Sequence, residues 1–112
     1  MVEPRRGDLV LVREDPGSAG PVRTRVALVV SGEAMNRHAP EVLVVPLTSE
    51  LDPLFPSEVA AAATDTGLGH DSKIQTHRLQ PVARSRLLKV LGRLPDGLMR
   101  LVDERLQAVL GL

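Results

Sequence analysis

Arg25-Val26-Ala27-Leu28-Val29-Val30-Ser31 and, after a polar connection, Glu41-Val42-Leu43-Val44-Val45-Pro46-Leu47-Thr48-Ser49 decide the fold. Both runs are apolar and rich in β-branched residues, the composition of largely buried strands. Ser31 to Pro40 connects them, and its Gly32-Glu33-Ala34-Met35-Asn36-Arg37 segment has room for one helical turn. If the runs pair antiparallel, the start of the first lies beside the end of the second. Arg25 and Thr48 then share one end of the sheet.

Working outward, Leu9 to Val12, continuing to about Arg13, reads as a further strand after the punctuation of Gly7 and Asp8. Glu14 to Pro21 is dense in turn formers and forms a loop. Pro46 places the end of its strand at a bulge or an edge, because it offers no N–H to a ladder. Ser57 to Ala63 is alanine-rich but short, and neighbouring context favours a strand. Thr64 to Asp71 is a glycine-rich loop. Ser72 to Thr76 is a strand, Arg78 to Val82 continues it beyond a kink, and Lys89 to Leu94 alternates as a short strand. Ser85 is a candidate N-cap for a single turn over Arg86 to Leu88. Leu98, Leu101, Val102, Leu106, Val109 and Leu110 recur at helical spacing behind Pro95, with Arg105 snorkelling beside the stripe and Gly111 as the stop. Short strands followed by one helix predict a mainly β fold, a small partly open barrel with a C-terminal helix. No linker or repeat divides the 112 residues, so one domain covering 1–112 is expected.

Composition excludes several classes of function. The chain has no cysteine, which removes disulfides and thiolate metal sites. His38, His70 and His77 lack metal-ligand spacing, and no glycine-rich phosphate loop or nucleophile elbow is present. No metal and no cofactor is expected. The apolar runs are too short to span a membrane. The charged N-terminus, Met1 to Arg6, leads directly into a strand pattern without the apolar centre of a secretion signal. A cytoplasmic protein is the expectation. The formal net charge is zero, so any nucleic-acid site must arise from local clusters such as Arg23 with Arg25 or Arg78 to Arg86. Phe55 is the only aromatic residue, which leaves base stacking nearly without a platform.

Residue types and spacing alone favour a plain account of the opening pair. Arg25 can pair with an acid such as Asp8 or Asp15, and Thr48 can cap the turn that follows it. A resemblance gives these residues a further meaning. Arg6-Gly7-Asp8-Leu9-Val10-Leu11-Val12, Asp15-Pro16-Gly17-Ser18 with Gly20, Arg25 to Ser31, Asn36-Arg37, Val45 to Ser49, Gly67 to Ser72, Ser85-Arg86-Leu87, Leu91 to Leu94, Val102 to Leu106 and Leu110 to Leu112 follow in order. Together they resemble the MazF/PemK family of toxins, across essentially the whole chain.

That resemblance implies an SH3-like barrel of the CcdB/PemK type and an endoribonuclease that cleaves single-stranded RNA without a metal. It implies catalytic roles for Arg25 and Thr48. Gly17 and Ser18 would line the RNA groove. From the residues themselves, Ser72 and Arg78 are candidate base or phosphate contacts, and His77, with an ordinary pKa of roughly 6.5 on a strand expected to face substrate, is a candidate substrate contact and acid or base. The resemblance also implies a homodimer and a cognate antitoxin whose tail covers the groove. Three departures stand out: the shortened loop Gly17-Ser18-Ala19-Gly20, Val26 in place of proline after Arg25, and His77-Arg78 in place of Asp-Gln. The competing classes are a CcdB-type gyrase poison, which lacks the Arg–Thr pair, and a non-enzymatic barrel that binds RNA or protein.

Overall fold

The computed structural model describes residues 2–14 and 20–112. The chain runs β1 (Asp8–Arg13), β2 (Thr24–Val29), α1 (Glu33–His38), β3 (Glu41–Thr48), β4 (Glu58–Ala61), α2 (Ala63–Thr66), β5 (Ser72–Gln75), β6 (Gln80–Ala83), β7 (Leu87–Arg93) and α3 (Asp96–Leu110). All strand pairs are antiparallel, in the order β4-β5-β3-β2-β1-β7, with β6 pairing to β3 as well. The end strands β4 and β7 do not pair, so the sheet does not close, as the partly open barrel read from the pattern requires.

The apolar runs are continuous because the central strands are buried on both faces. Leu9, Leu28, Val45 and Leu47 join Val59, Ile74 and Val102 in one core cluster, on which Leu98, Met99 and Leu106 of α3 pack. Val10, Val12, Ala27, Val29, Val42 and Val44 point the other way and join Val82 of β6 and Leu87 of β7. Successive side chains alternate between these clusters, as a strand's period of two requires.

Pro46 lies inside β3 rather than at its end. On one side β3 pairs with β6 over Glu41 to Val44 and with β5 over Leu47 and Thr48, and Pro46 falls between the two ladders. A missing N–H costs least at such a handover. Gly7 enters β1 with φ +95°, a conformation that L side chains rarely adopt, while its N–H donates to Val29 O at 2.8 Å.

Three local expectations change. The glycine-rich segment opens on the short helix α2, because the Asp71 carboxylate accepts the Ala63 N–H at 2.8 Å from eight residues away. Ser85 sits within a 3-10 turn, Arg84–Arg86, and makes no cap; β7 begins directly after it at Leu87. On α3 only part of the apolar stripe is covered. Val102 is buried, whereas Leu101, Val109 and Leu110 are 39%, 41% and 53% exposed. Arg105 is half-buried, with its Nε sealed from solvent and unpartnered among the described residues. Gly111 terminates α3 in the left-handed conformation.

Candidate active site

The register of the sheet assembles the site. β2 and β3 pair Ala27 with Pro46, and continuing that register two residues sets Arg25 opposite Thr48. β3 and β5 pair Thr48 with Lys73, and β5 and β4 pair Lys73 with Ala60. Residues directly opposite in an antiparallel ladder share a face. Arg25, Thr48 and Lys73 therefore form a row across three strands, on the same sheet face as Ala27, Val29 and Val44. Where that apolar face reaches the rim it opens into a cavity of about 510 Å3. Arg25, Thr48, Lys73, Phe55 and Arg78 line it, together with the carboxylates of Glu14, Glu50 and Asp52.

Each member of the opening pair has a local partner and keeps capacity to spare. Arg25 Nε lies 3.7 Å from Glu14 Oε1, a loose contact between half-exposed groups. Glu14 is its acid among the described residues; Asp8 meets Arg93 at 3.3 Å instead, and Asp15 lies outside the described residues. The Glu50 N–H donates to Thr48 Oγ1 at 3.2 Å, so Thr48 does cap the following turn. That bond uses an acceptor lone pair and leaves the hydroxyl proton free to donate into the cavity.

Under this row lies a buried ion pair. Lys73 Nζ donates to Glu58 Oε1 at 3.0 Å, with the two side chains 5% and 0% exposed. The Phe55 N–H reaches the same oxygen at 2.9 Å, and Gln75 Nε2 donates to Glu58 Oε2 at 3.1 Å. Burial pushes the Glu58 carboxyl up, but Phe55, Lys73 and Gln75 together outweigh it and hold its pKa below the usual value. Lys73 Nζ also donates to the Pro53 carbonyl and lies 5.5 Å from the centre of the Phe55 ring.

The remaining site expectations divide. Arg78 lines the cavity from the 3-10 turn Thr76–Arg78. His77 belongs to that turn and not to a substrate-facing strand. Its Nδ1 lies 2.9 Å from Ser57 Oγ, and it is not among the lining residues. Ser72 is buried in β5 opposite Ala61, also away from the cavity. Gly17 and Ser18 lie outside the described residues. Phe55, Lys73 and Glu58 escaped the sequence reading. Only Phe55 carried a signal, as the sole aromatic residue.

Similarity to known proteins agrees with this geometry. The sequence profile for the PemK-like, MazF-like toxin of type II toxin-antitoxin system matches residues 5–110. Endoribonuclease MazF9 of Mycobacterium tuberculosis is 34% identical over 114 residues, spanning 96% of this chain and 97% of that one. A MazE-MazF crystal structure from Deinococcus radiodurans superposes with a TM-score of 0.84 at 26% identity, covering 99% of both chains. An endoribonuclease in complex with its cognate antitoxin from Mycobacterial species superposes with a TM-score of 0.77 at 28% identity, covering 100% of this chain and 97% of that one. The chain belongs to the PemK-like, MazF-like toxins of type II toxin-antitoxin systems.

Proposed function

We propose that this toxin is an endoribonuclease that cleaves single-stranded RNA without a metal ion, at the cavity lined by Arg25 and Thr48. The observation that carries the reading is the convergence of a guanidinium and a free hydroxyl donor on one open cavity, from the start of β2 and the end of β3. In the reaction a ribose 2′-OH attacks the adjacent phosphorus in line. The P–O5′ bond breaks, the 2′-OH gives up its proton and the departing 5′-oxygen takes one up, giving a 2′,3′-cyclic phosphate and a 5′-OH; water can then open the cyclic phosphate to a 3′-phosphate. Charge grows on the nonbridging oxygens as the new bond forms. Arg25 neutralises that charge, and Thr48 donates to one of those oxygens. Both contacts strengthen in the transition state, which is what lowers the barrier.

Arg25, Arg78 and Lys73 face Glu14, Glu50 and Asp52 around the cavity, and Lys73 is already matched by Glu58. RNA is therefore held by directed contacts more than by net charge. Arg78 fits a guanine edge or a phosphate. The relatives solved in complex with a cognate antitoxin and as MazE-MazF support a cognate antitoxin for this chain, and on this reading its tail covers the RNA groove. Exposed Leu88, Val90 and Leu91 on the terminal strand β7, and Leu101, Val109 and Leu110 on α3, support a homodimer that covers apolar surface. Among the described residues no helix is long and apolar enough to cross a membrane. The reading places the toxin in the cytoplasm, where its RNA substrate is.

The test is incubation of the protein with a long transcript in EDTA, beside Arg25→Ala and Thr48→Ala. Wild type is expected to cut, and each variant to lose roughly 10²- to 10³-fold in rate. Cleavage that survives both substitutions refutes the assignment.

A further inference from the structure

Phe55 is the one aromatic residue in the chain, yet it is spent on the surface, 52% exposed at the mouth of the cavity that Arg25 and Thr48 line. Burying that ring would contribute to the core, so its position needs another reason. The ring is also anchored more firmly than a surface side chain requires. The Phe55 N–H donates to Glu58 Oε1, and Lys73 Nζ donates both to that oxygen and to the carbonyl of Pro53, two residues earlier. The same ammonium stands 5.5 Å from the ring centre. A buried ion pair thus fixes the backbone on both sides of Leu54 and sets a cation against the ring, leaving the rest of the ring open to the cavity. Holding an apolar platform in place before the ligand arrives removes an ordering cost from binding.

On the endoribonuclease reading above, we propose that Phe55 is the platform on which one base of the single-stranded RNA stacks, and that Lys73 and Glu58 are its positioning residues. Every base has a π-face, so the contact tolerates any sequence while fixing where the strand lies relative to Arg25 and Thr48. A duplex, whose bases are already stacked and paired, cannot offer a face to the ring. The contact therefore selects single strands.

Two measurements decide this. In cleavage assays Phe55→Ala is expected to raise KM roughly 5- to 150-fold, the range for losing one base–aromatic stack, while Phe55→Tyr stays near wild type. If Lys73 acts through the ring, Lys73→Met raises KM in the wild-type background and has little further effect in Phe55→Ala. Independent increases in the two backgrounds overturn the positioning role. In the second measurement Phe55→Trp supplies the only tryptophan in a chain that has no tyrosine either. Its emission is expected to quench and saturate with a single-stranded 2′-O-methyl oligoribonucleotide, which has no 2′-OH to attack, and not with the same oligomer annealed to its complement. No quenching, or equal quenching by the duplex, overturns the stacking. A wild type that cuts no RNA refutes the endoribonuclease reading instead, and the tryptophan titration still decides the stacking by itself.

Discussion

Replacing Lys73 by methionine removes one charge from a buried pair and keeps most of the side chain's volume. Glu58 then stays fully buried with two donors, the Phe55 N–H at 2.9 Å and Gln75 Nε2 at 3.1 Å, and no counter-ion. Breaking a buried pair from one side costs about 3–5 kcal/mol, because a charge is left uncompensated. The two surviving hydrogen bonds favour the lower end, about 3 kcal/mol. An unfolding entropy of about 2.1 cal/mol/K per residue amounts to roughly 0.24 kcal/mol/K over the 112 residues. The expected fall in thermal midpoint is therefore about 13 °C.

The pH dependence gives a second signature. In the wild type the Glu58 pKa lies below its ordinary value of 4.5. Its contribution to stability is present above that value and is lost only as pH falls through the lower, folded pKa. Without Lys73 the desolvation that raises the pKa has less opposing it. The folded-state pKa of Glu58 therefore rises in Lys73→Met relative to wild type, and the variant's deficit in stability is smaller at pH 5 than at pH 8. The double variant Lys73→Met/Glu58→Gln carries no buried charge and is expected to recover most of the loss. Thermal unfolding followed by circular dichroism at pH 5, 6.5 and 8, at one fixed protein concentration, measures all three proteins. A Lys73→Met midpoint within about 3 °C of wild type at pH 6.5, with no change in pH slope, refutes the account of the pair.

Three further outcomes test the site. His77→Ala is expected to retain cleavage within about twofold across pH 5 to 8, since His77 faces Ser57 and not the cavity; loss of one limb of the pH–rate profile would return it to the chemistry. Arg78→Gln is expected to change the bases found beside the cut while Arg25 and Thr48 continue to cleave, read by sequencing the fragment ends. With Arg25 and Arg78 as the two cations of the cavity lining not matched by a buried acid, binding of single-stranded RNA should weaken with salt at a log–log slope of about −1.4. A slope steeper than about −4 would mean that the phosphate backbone is held chiefly elsewhere.

The legible and illegible parts of this chain differ for one physical reason, the range of the interactions involved. Two apolar runs with a short polar connection can pair in only one sense, and antiparallel pairing puts the head of one beside the tail of the other. Arg25 and Thr48 could therefore be brought together before any coordinates, and the β2–β3 register does so. The residue types did not say which of their neighbours mattered, and among the described residues Arg25 found Glu14 rather than Asp8. The Lys73–Glu58 pair was beyond reach for a related reason. A lysine within Ser72 to Gln75 reads as the solvent-facing half of an alternation, and the strand assignment of Ser57 to Ala63 rested on context alone. The β4–β5 ladder pairs Ala60 with Lys73 and Glu58 with Gln75, which makes Glu58 a diagonal neighbour of Lys73 on the same face. Only that register, fixed by the burial of Val59 and Ile74 on the opposite face, turns two apparently solvated charges into a buried anchor. Phe55 follows from it. As an isolated aromatic it suggested that stacking was nearly unavailable to this chain, whereas an aromatic ring pinned beside Arg25 and Thr48 needs no second ring to hold one base in place.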